Sequence, residues 1–176
     1  MSEEILMLAV KNGELEKLTL LFEKYQALLY NFFVRMTWDK DLSADLTQNV
    51  FLRIIKYKHS FRSDMRFKPW IFQIARNVHA DHFRSQHIFS DKHDLSQLEA
   101  EDDDSLKFQL EQEETLQKAV NLLELSDREL IVMSKFQKMK YEEIGAVLGI
   151  SVASVKVRVH RAIKKLRKVY FELENA

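Results

Sequence analysis

Lysine and arginine crowd the last part of this chain. Ser154, Lys156, Arg158, Arg161, Lys164, Lys165 and Lys168 follow closely on one another within "SVASVKVRVHRAIKKLRK". Guanidinium and ammonium groups stay protonated at neutral pH, so their chemistry here is recognition, not proton transfer. Arginine forks bond guanine edges and phosphates in pairs, whereas lysine acts as a point charge. A second set of donors, Arg62, Arg66, Lys68, Gln73, Arg76, Asn77 and Arg84, is interleaved with aromatic residues in and after "FRSDMRFKPWIFQIARN". Bases alternating with rings suit a single strand whose bases are unstacked. Trp70 in that stretch reads as divided between core and DNA contact. Catalytic constellations are missing from the sequence: there is no nucleophile–base pair, no phosphate-binding glycine loop, and no cysteine. "HADH" sets His79 and His82 three apart on a helix without completing ligands, so neither a metal nor another cofactor is expected. The acids of "EAEDDDS" are consecutive and do not form a preorganised pair. The chain reads as a binding protein, not an enzyme.

The formal net charge of zero conceals segregation. Arg53 to Arg84 holds eight bases and two acids, Asp91 to Glu114 ten acids and two bases, and Lys135 to Tyr170 ten bases and two acids. Any one such run is ordinarily a solvated face. Two basic regions flanking an acidic strip fit two polyanion-binding modules on a tether. The strip is then expected to compete with DNA for its neighbours, with Asp102, Asp103 and Asp104 at its centre.

The elements that must carry these residues are helical. Three glycines and one proline in 176 residues, with few strand signals, predict an all-α fold. No run approaches the ~18 apolar residues that span a bilayer. With an acidic N-terminus and no cysteine, a cytoplasmic location is expected. A short helix, a break at Asn12-Gly13 and a long helix open the chain. The long helix carries Leu18, Leu21, Phe22, Tyr25, Leu28, Leu29, Phe32 and Phe33 at helical spacing. The next buries Leu46, Val50 and Ile54 and turns Asp45, Gln48, Asn49 and Arg53 outward. A third has Phe67, Ile71, Ile74 and Val78 on its core face and Pro69 in its first turn. Residues 1–88 form one small domain by this reading, 89–112 an acidic flexible linker whose end turns helical, and 113–176 a second small domain. In the latter, Ser126–Glu129 has the form of a capping box. Tyr141, Ile144, Val147 and Leu148 then give a short apolar helix. Gly149 suits a left-handed helix end and Ser151 an N-cap, and Val152, Val155, Val159, Ala162 and Leu166 stripe the last helix. Short helix, tight turn and long basic helix make a helix-turn-helix, whose second helix enters the major groove.

With these motifs in place, "DLTQNVFLRIIKYKHSFRSDMRFKPWIFQIARNVHADHFRS" resembles the core of bacterial sigma factors of the extracytoplasmic-function group. "LFEKYQALLYNFFVRMT" is similar to that family's opening helix. "LSDRELIVMSKFQKMKYEEIGAVLGISVASVKVRVHRAIKKLR" is similar to its promoter-reading domain. The resemblance implies a dissociable specificity subunit of bacterial RNA polymerase, with core enzyme and promoter DNA as partners and an anti-sigma factor as a further one. It implies that Asp45, Gln48, Asn49 and Arg53 dock on a coiled coil of the largest polymerase subunit. Asn49 stands where the family usually has an acid, which puts one ion pair in question. Arg62, Arg66 and Lys68 would hold the backbone of the melted minus-ten element, with Trp70, Gln73, Arg76 and Arg84 along the same region and Asn77 at an extruded base. Ser154, Lys156, Val157, Arg158, Arg161, Lys164 and Lys165 would read the minus-thirty-five element. Val157 departs from the family's small polar residue, and its methyls suit either a thymine methyl or a neighbouring helix. Two other readings stay open on residues alone: a free-standing helix-turn-helix regulator of duplex operators, and a protein-binding adaptor.

Overall fold

The chain is all-helical throughout the described residues, 1–86 and 104–176 of a computed structural model. Eight α-helices follow in order: α1 Glu3–Lys11, α2 Leu18–Thr37, α3 Lys40–Tyr57, α4 Phe67–Gln86, α5 Asp104–Leu122, α6 Leu125–Ile131, α7 Tyr141–Leu148 and α8 Val152–Glu174. Among the described residues no helix is long and apolar enough to cross a membrane. The charge-masking expectation for Asp102, Asp103 and Asp104 lies outside the described residues and side chains. The acidic stretch assigned to a linker is helical from Asp104 onward. No glycine or proline interrupts Asp104 to Leu122.

The helices α1 to α4 pack around aromatic residues. Leu21, Tyr25, Leu29, Phe32, Phe33 and Met36 on α2 are buried against Leu46, Val50 and Ile54 on α3. Phe67, Ile71, Ile74 and Val78 of α4 complete that core as their spacing predicts. Phe22 does not join it; it is 37% exposed and meets Phe51 edge-on. Trp70 is 7% exposed and packs edge-on against Phe61 at 5.1 Å, which settles it in the core.

Capping is partly supplied from a distance. Glu4 on α1 accepts a bond from the Phe67 backbone N–H at the start of α4 (3.1 Å). That N–H holds the Glu4 carboxyl below its ordinary range. Asp39 caps α3 through the Leu42 N–H. The capping box expected at Ser126–Glu129 does not form. Instead α6 starts at Leu125, with Glu124 in the N-cap position and no side-chain cap bond. The acids of that sequence are drawn into tertiary pairs, Asp127 with Lys165 and Glu129 with Arg76.

The second group of helices builds the predicted turn. Gly149 sits at φ 68°, ending α7, and Ser151 Oγ accepts the Ser154 N–H to open α8. Val155, Val159 and Ala162 are buried, Leu166 partly so, while Val152 in the first turn of α8 is 43% exposed. Gly145 was not singled out by sequence. A β-carbon there would lie 2.8 Å from the Ile150 carbonyl oxygen, so only glycine lets the turn close on α7.

The two groups share one continuous cluster of buried residues. Arg128 of α6 donates to the carbonyls of Val120, Asn121 and Leu123 at the end of α5 and to Met36 at the end of α2. One guanidinium thereby holds four carbonyls, drawn from the end of α2, the end of α5 and the turn that follows it. Gln117, itself buried, donates to the Arg35 carbonyl and accepts from the Arg35 guanidinium. Arg35 further pairs with Glu113 at 2.6 Å and lies over the Phe136 ring at 4.1 Å.

Candidate nucleic-acid interface

The basic face of α8 is open. Lys156, Val157, Arg158, Arg161 and Lys164 are all exposed, and none makes a side-chain hydrogen bond or ion pair among the described residues. Ser154 is less free, because its Oγ accepts from Ser151 Oγ at 3.0 Å. Lys165 lies at the edge of this face and bonds Asp127 at 2.8 Å. That contact raises its pKa. Val157 is 48% exposed, so its methyls face outward and not into the neighbouring helix. The helix therefore has apolar residues on one side, a tight glycine turn before it, and cations opposite that are unpaired among the described residues.

The donors of α4 and its preceding loop are distributed differently. Arg66 and Asn77 are exposed and unpaired among the described residues. Arg62 pairs with Asp64 in the loop, and Arg84 with Asp81 at 2.6 Å. Lys68 is 3.1 Å from Glu143 of α7. Both Nε and Nη2 of Arg76 donate to Oε2 of Glu129 on α6, at 3.1 and 3.0 Å. Gln73 Nε2 donates to the Ala146 carbonyl at 3.0 Å. Three of the residues expected to meet a melted strand therefore meet the C-terminal helices.

On α3, Asp45, Gln48 and Asn49 are exposed in one stripe. Arg53 is half-buried and turned to Asp81 of α4 at 2.8 Å. That bond holds the Asp81 carboxyl below its ordinary range, with Arg84 adding to the effect. The structure thus brings the donors of α4 and the acids of α6 and α7 together, and keeps the α3 and α8 surfaces apart from that cluster.

Comparison with known proteins agrees with this arrangement of an aromatic four-helix domain and a basic helix-turn-helix. Residues 21–88 match the family described as Sigma-70 region 2, and residues 113–166 match Sigma-70, region 4. The chain belongs to the sigma-70 family, in its extracytoplasmic-function group. It is 33% identical over 161 residues to the RNA polymerase sigma factor CarQ of Myxococcus xanthus, spanning 88% of this chain and 89% of that one. Its identity to the sigma factor SigX of Bacillus subtilis is 30% over 161 residues, spanning 87% and 83%. Among solved structures, CnrH in complex with the cytosolic domain of CnrY is similar with a TM-score of 0.73 at 23% identity, covering 95% of this chain and 96% of that one. RpoE in complex with the anti-sigma factor NepR from Bartonella quintana gives 0.67 at 21%, covering 88% and 96%. Those two structures share the fold. In sigma-factor terms, α2 to α4 belong to region 2, and the end of α5 through most of α8 to region 4.

The sequence did not disclose the partners that region 4 offers to region 2. Glu129 reads locally as part of a capping box, and Arg128, Glu143 and Gln117 carry no motif.

Proposed function

We propose that this sigma factor brings core RNA polymerase to promoters through three separate surfaces, with residues 1–88 and 113–176 as its working units. Asp45, Gln48 and Asn49 on α3 dock on the polymerase, and Arg53 steadies that helix through Asp81. Arg62, Arg66, Lys68, Gln73, Arg76, Asn77 and Arg84 hold the melted minus-ten strand, while Trp70 supports the fold of that surface from within. Ser154, Lys156, Val157, Arg158, Arg161 and Lys164 read the minus-thirty-five duplex, with Lys165 at the margin. The chemistry of nucleotide addition is left to the polymerase, and the chain acts in the cytoplasm. An anti-sigma factor is a further partner by analogy with RpoE and NepR.

The observation that supports this reading best is the unpaired cationic face of α8 beside a family match to region 4. Unpaired, solvated arginine and lysine keep their full capacity for phosphates and base edges. The experiment is run-off transcription with purified bacterial core polymerase on a library of promoter fragments, with and without the chain. Selective transcripts appearing only with the chain are expected. If the chain bound duplex DNA specifically yet never altered transcription by core enzyme, the reading would be abandoned.

A further inference from the structure

The donors on α4 are not idle. Glu129 is 6% exposed and sits on two nitrogens of Arg76, and Glu143 faces Lys68 with most of its side chain buried. Gln73 bonds the carbonyls of Ala146 and Val147 in the last turn of α7, where a helix carries unpaired acceptors and its negative dipole end. A single strand of DNA would bring the same chemistry to these side chains: anionic oxygens for the arginine and lysine, carbonyl acceptors for the amide. The basic face of α8 has no such occupant over Lys156, Arg158, Arg161 and Lys164, which are exposed and unpaired among the described residues; only Lys165 at its edge is held, by Asp127.

We infer that in the chain on its own region 4 masks the melted-strand surface by imitating it, with Glu129, Glu143 and the end of α7 standing where phosphates and base edges would go, while the duplex-reading face stays open. The inference rests on the assignment of α4 as the melted-strand surface. Masking is then one-sided. The closed chain can hold the minus-thirty-five duplex through α8, but it cannot grip a single strand until α7 leaves α4. A binding surface open only in a minor fraction of molecules has its affinity lowered by that fraction. Polymerase that holds regions 2 and 4 apart would expose Lys68, Gln73 and Arg76 at the point of use.

The test uses the full chain and neutralises only the acids of region 4, in the double variant Glu129→Gln with Glu143→Gln. The probes are a fluorescein-labelled 20-nucleotide single strand of mixed sequence and a mixed-sequence 30-base-pair duplex, both at low salt. The variant should bind the single strand about fivefold tighter or more than the parent, with duplex affinity unchanged and a larger radius of gyration in small-angle scattering. Adding Arg76→Ala to the variant should remove most of the gain. Folding is controlled independently by a charge swap, Arg76→Glu with Glu129→Arg, which should be as compact as the parent while each single change is not. Equal single-strand affinity in parent and variant would overturn the inference. Promoter opening by polymerase carrying Arg76→Ala separates the two ideas. If opening is lost while the acid variant gains nothing, the α4 assignment stands and the masking does not. If opening is unimpaired, the α4 assignment itself has failed.

Discussion

His79 is 2% exposed on α4, its ring tilted against that of Phe83 at 4.5 Å, and neither ring nitrogen has a hydrogen-bond partner among the described residues. Burial pushes its pKa down to about 4, helped by the charge of Arg128 and by His82. The neutral ring is what the fold accepts. An unfolded chain takes up a proton near the ordinary histidine value of about 6.5, and the folded one does not until about pH 4. Stability is therefore full above that ordinary value and falls as pH drops through the window down to about 4, by up to about 1.4 kcal/mol per pH unit. His79→Leu should flatten the melting temperature over this window, which thermal unfolding between pH 7 and 4 would check. An unchanged slope would mean other groups dominate. Gly145 makes a second prediction at this scale. Gly145→Ala sets a methyl 2.8 Å from the Ile150 carbonyl, a rigid atom, and should cost about 1–3 kcal/mol. Duplex binding should weaken with it, because α8 is positioned by that turn. Wild-type melting and binding in this variant would show that the turn can shift without consequence. These two residues mark a limit of sequence reading. His79 and His82 were visible as a spacing but not as a buried orphan, and Gly145 looked like one helix residue among others. Burial and close approach depend on what packs opposite, which the local sequence does not state.

At the scale of the helix, the apolar stripes were legible because side-chain burial follows the 3.6-residue period. Leu21, Tyr25 and Leu29 on α2 and Val155, Val159 and Ala162 on α8 lie where that period puts them. Helix starts were less legible. Ser126 and Glu129 had the spacing of a capping box, yet distant Arg76 competes for Glu129 and wins, since a charge-assisted pair is stronger than a cap bond. On α8, position along the helix should separate roles. Substituting Lys156 or Arg158 with alanine should change promoter preference, with about 1–3 kcal/mol of discrimination lost where a bidentate base contact is removed. Substituting Lys164 or Lys168 should weaken all duplexes alike and flatten the salt dependence. Binding titrations over a randomised minus-thirty-five library at two salt concentrations would decide. A change of preference from the late lysines alone would reverse the assignment. On α3, Asp45→Ala with Gln48→Ala should weaken retention by core polymerase while leaving melting within ~0.5 kcal/mol, since both side chains are exposed. Undiminished co-purification would move the docking surface elsewhere.

For the whole molecule, two basic modules and an acidic strip were plain from charge alone. Their packing into one continuous core was not. Arg76 and Glu129 are 53 residues apart, and Arg35 and Gln117 are 82 apart. No local pattern links residues so separated, and each has a sufficient local explanation as a solvated charge. Arg128 draws the ends of α2 and α5 together, with Gln117 and Arg35 beside it and Phe136 beneath the Arg35 guanidinium. These contacts owe nothing to the peptide bonds between Gln86 and Asp104. A chain cut once in that interval should consequently behave as a noncovalent heterodimer. Its two pieces should elute together from a sizing column at micromolar concentration and part as they are diluted. Pieces expressed separately should find each other when mixed, giving more helix by circular dichroism than the sum of the two alone. Pieces that elute apart at every concentration would show that the backbone, and not the contacts of Arg128 and Arg35, keeps the halves in company.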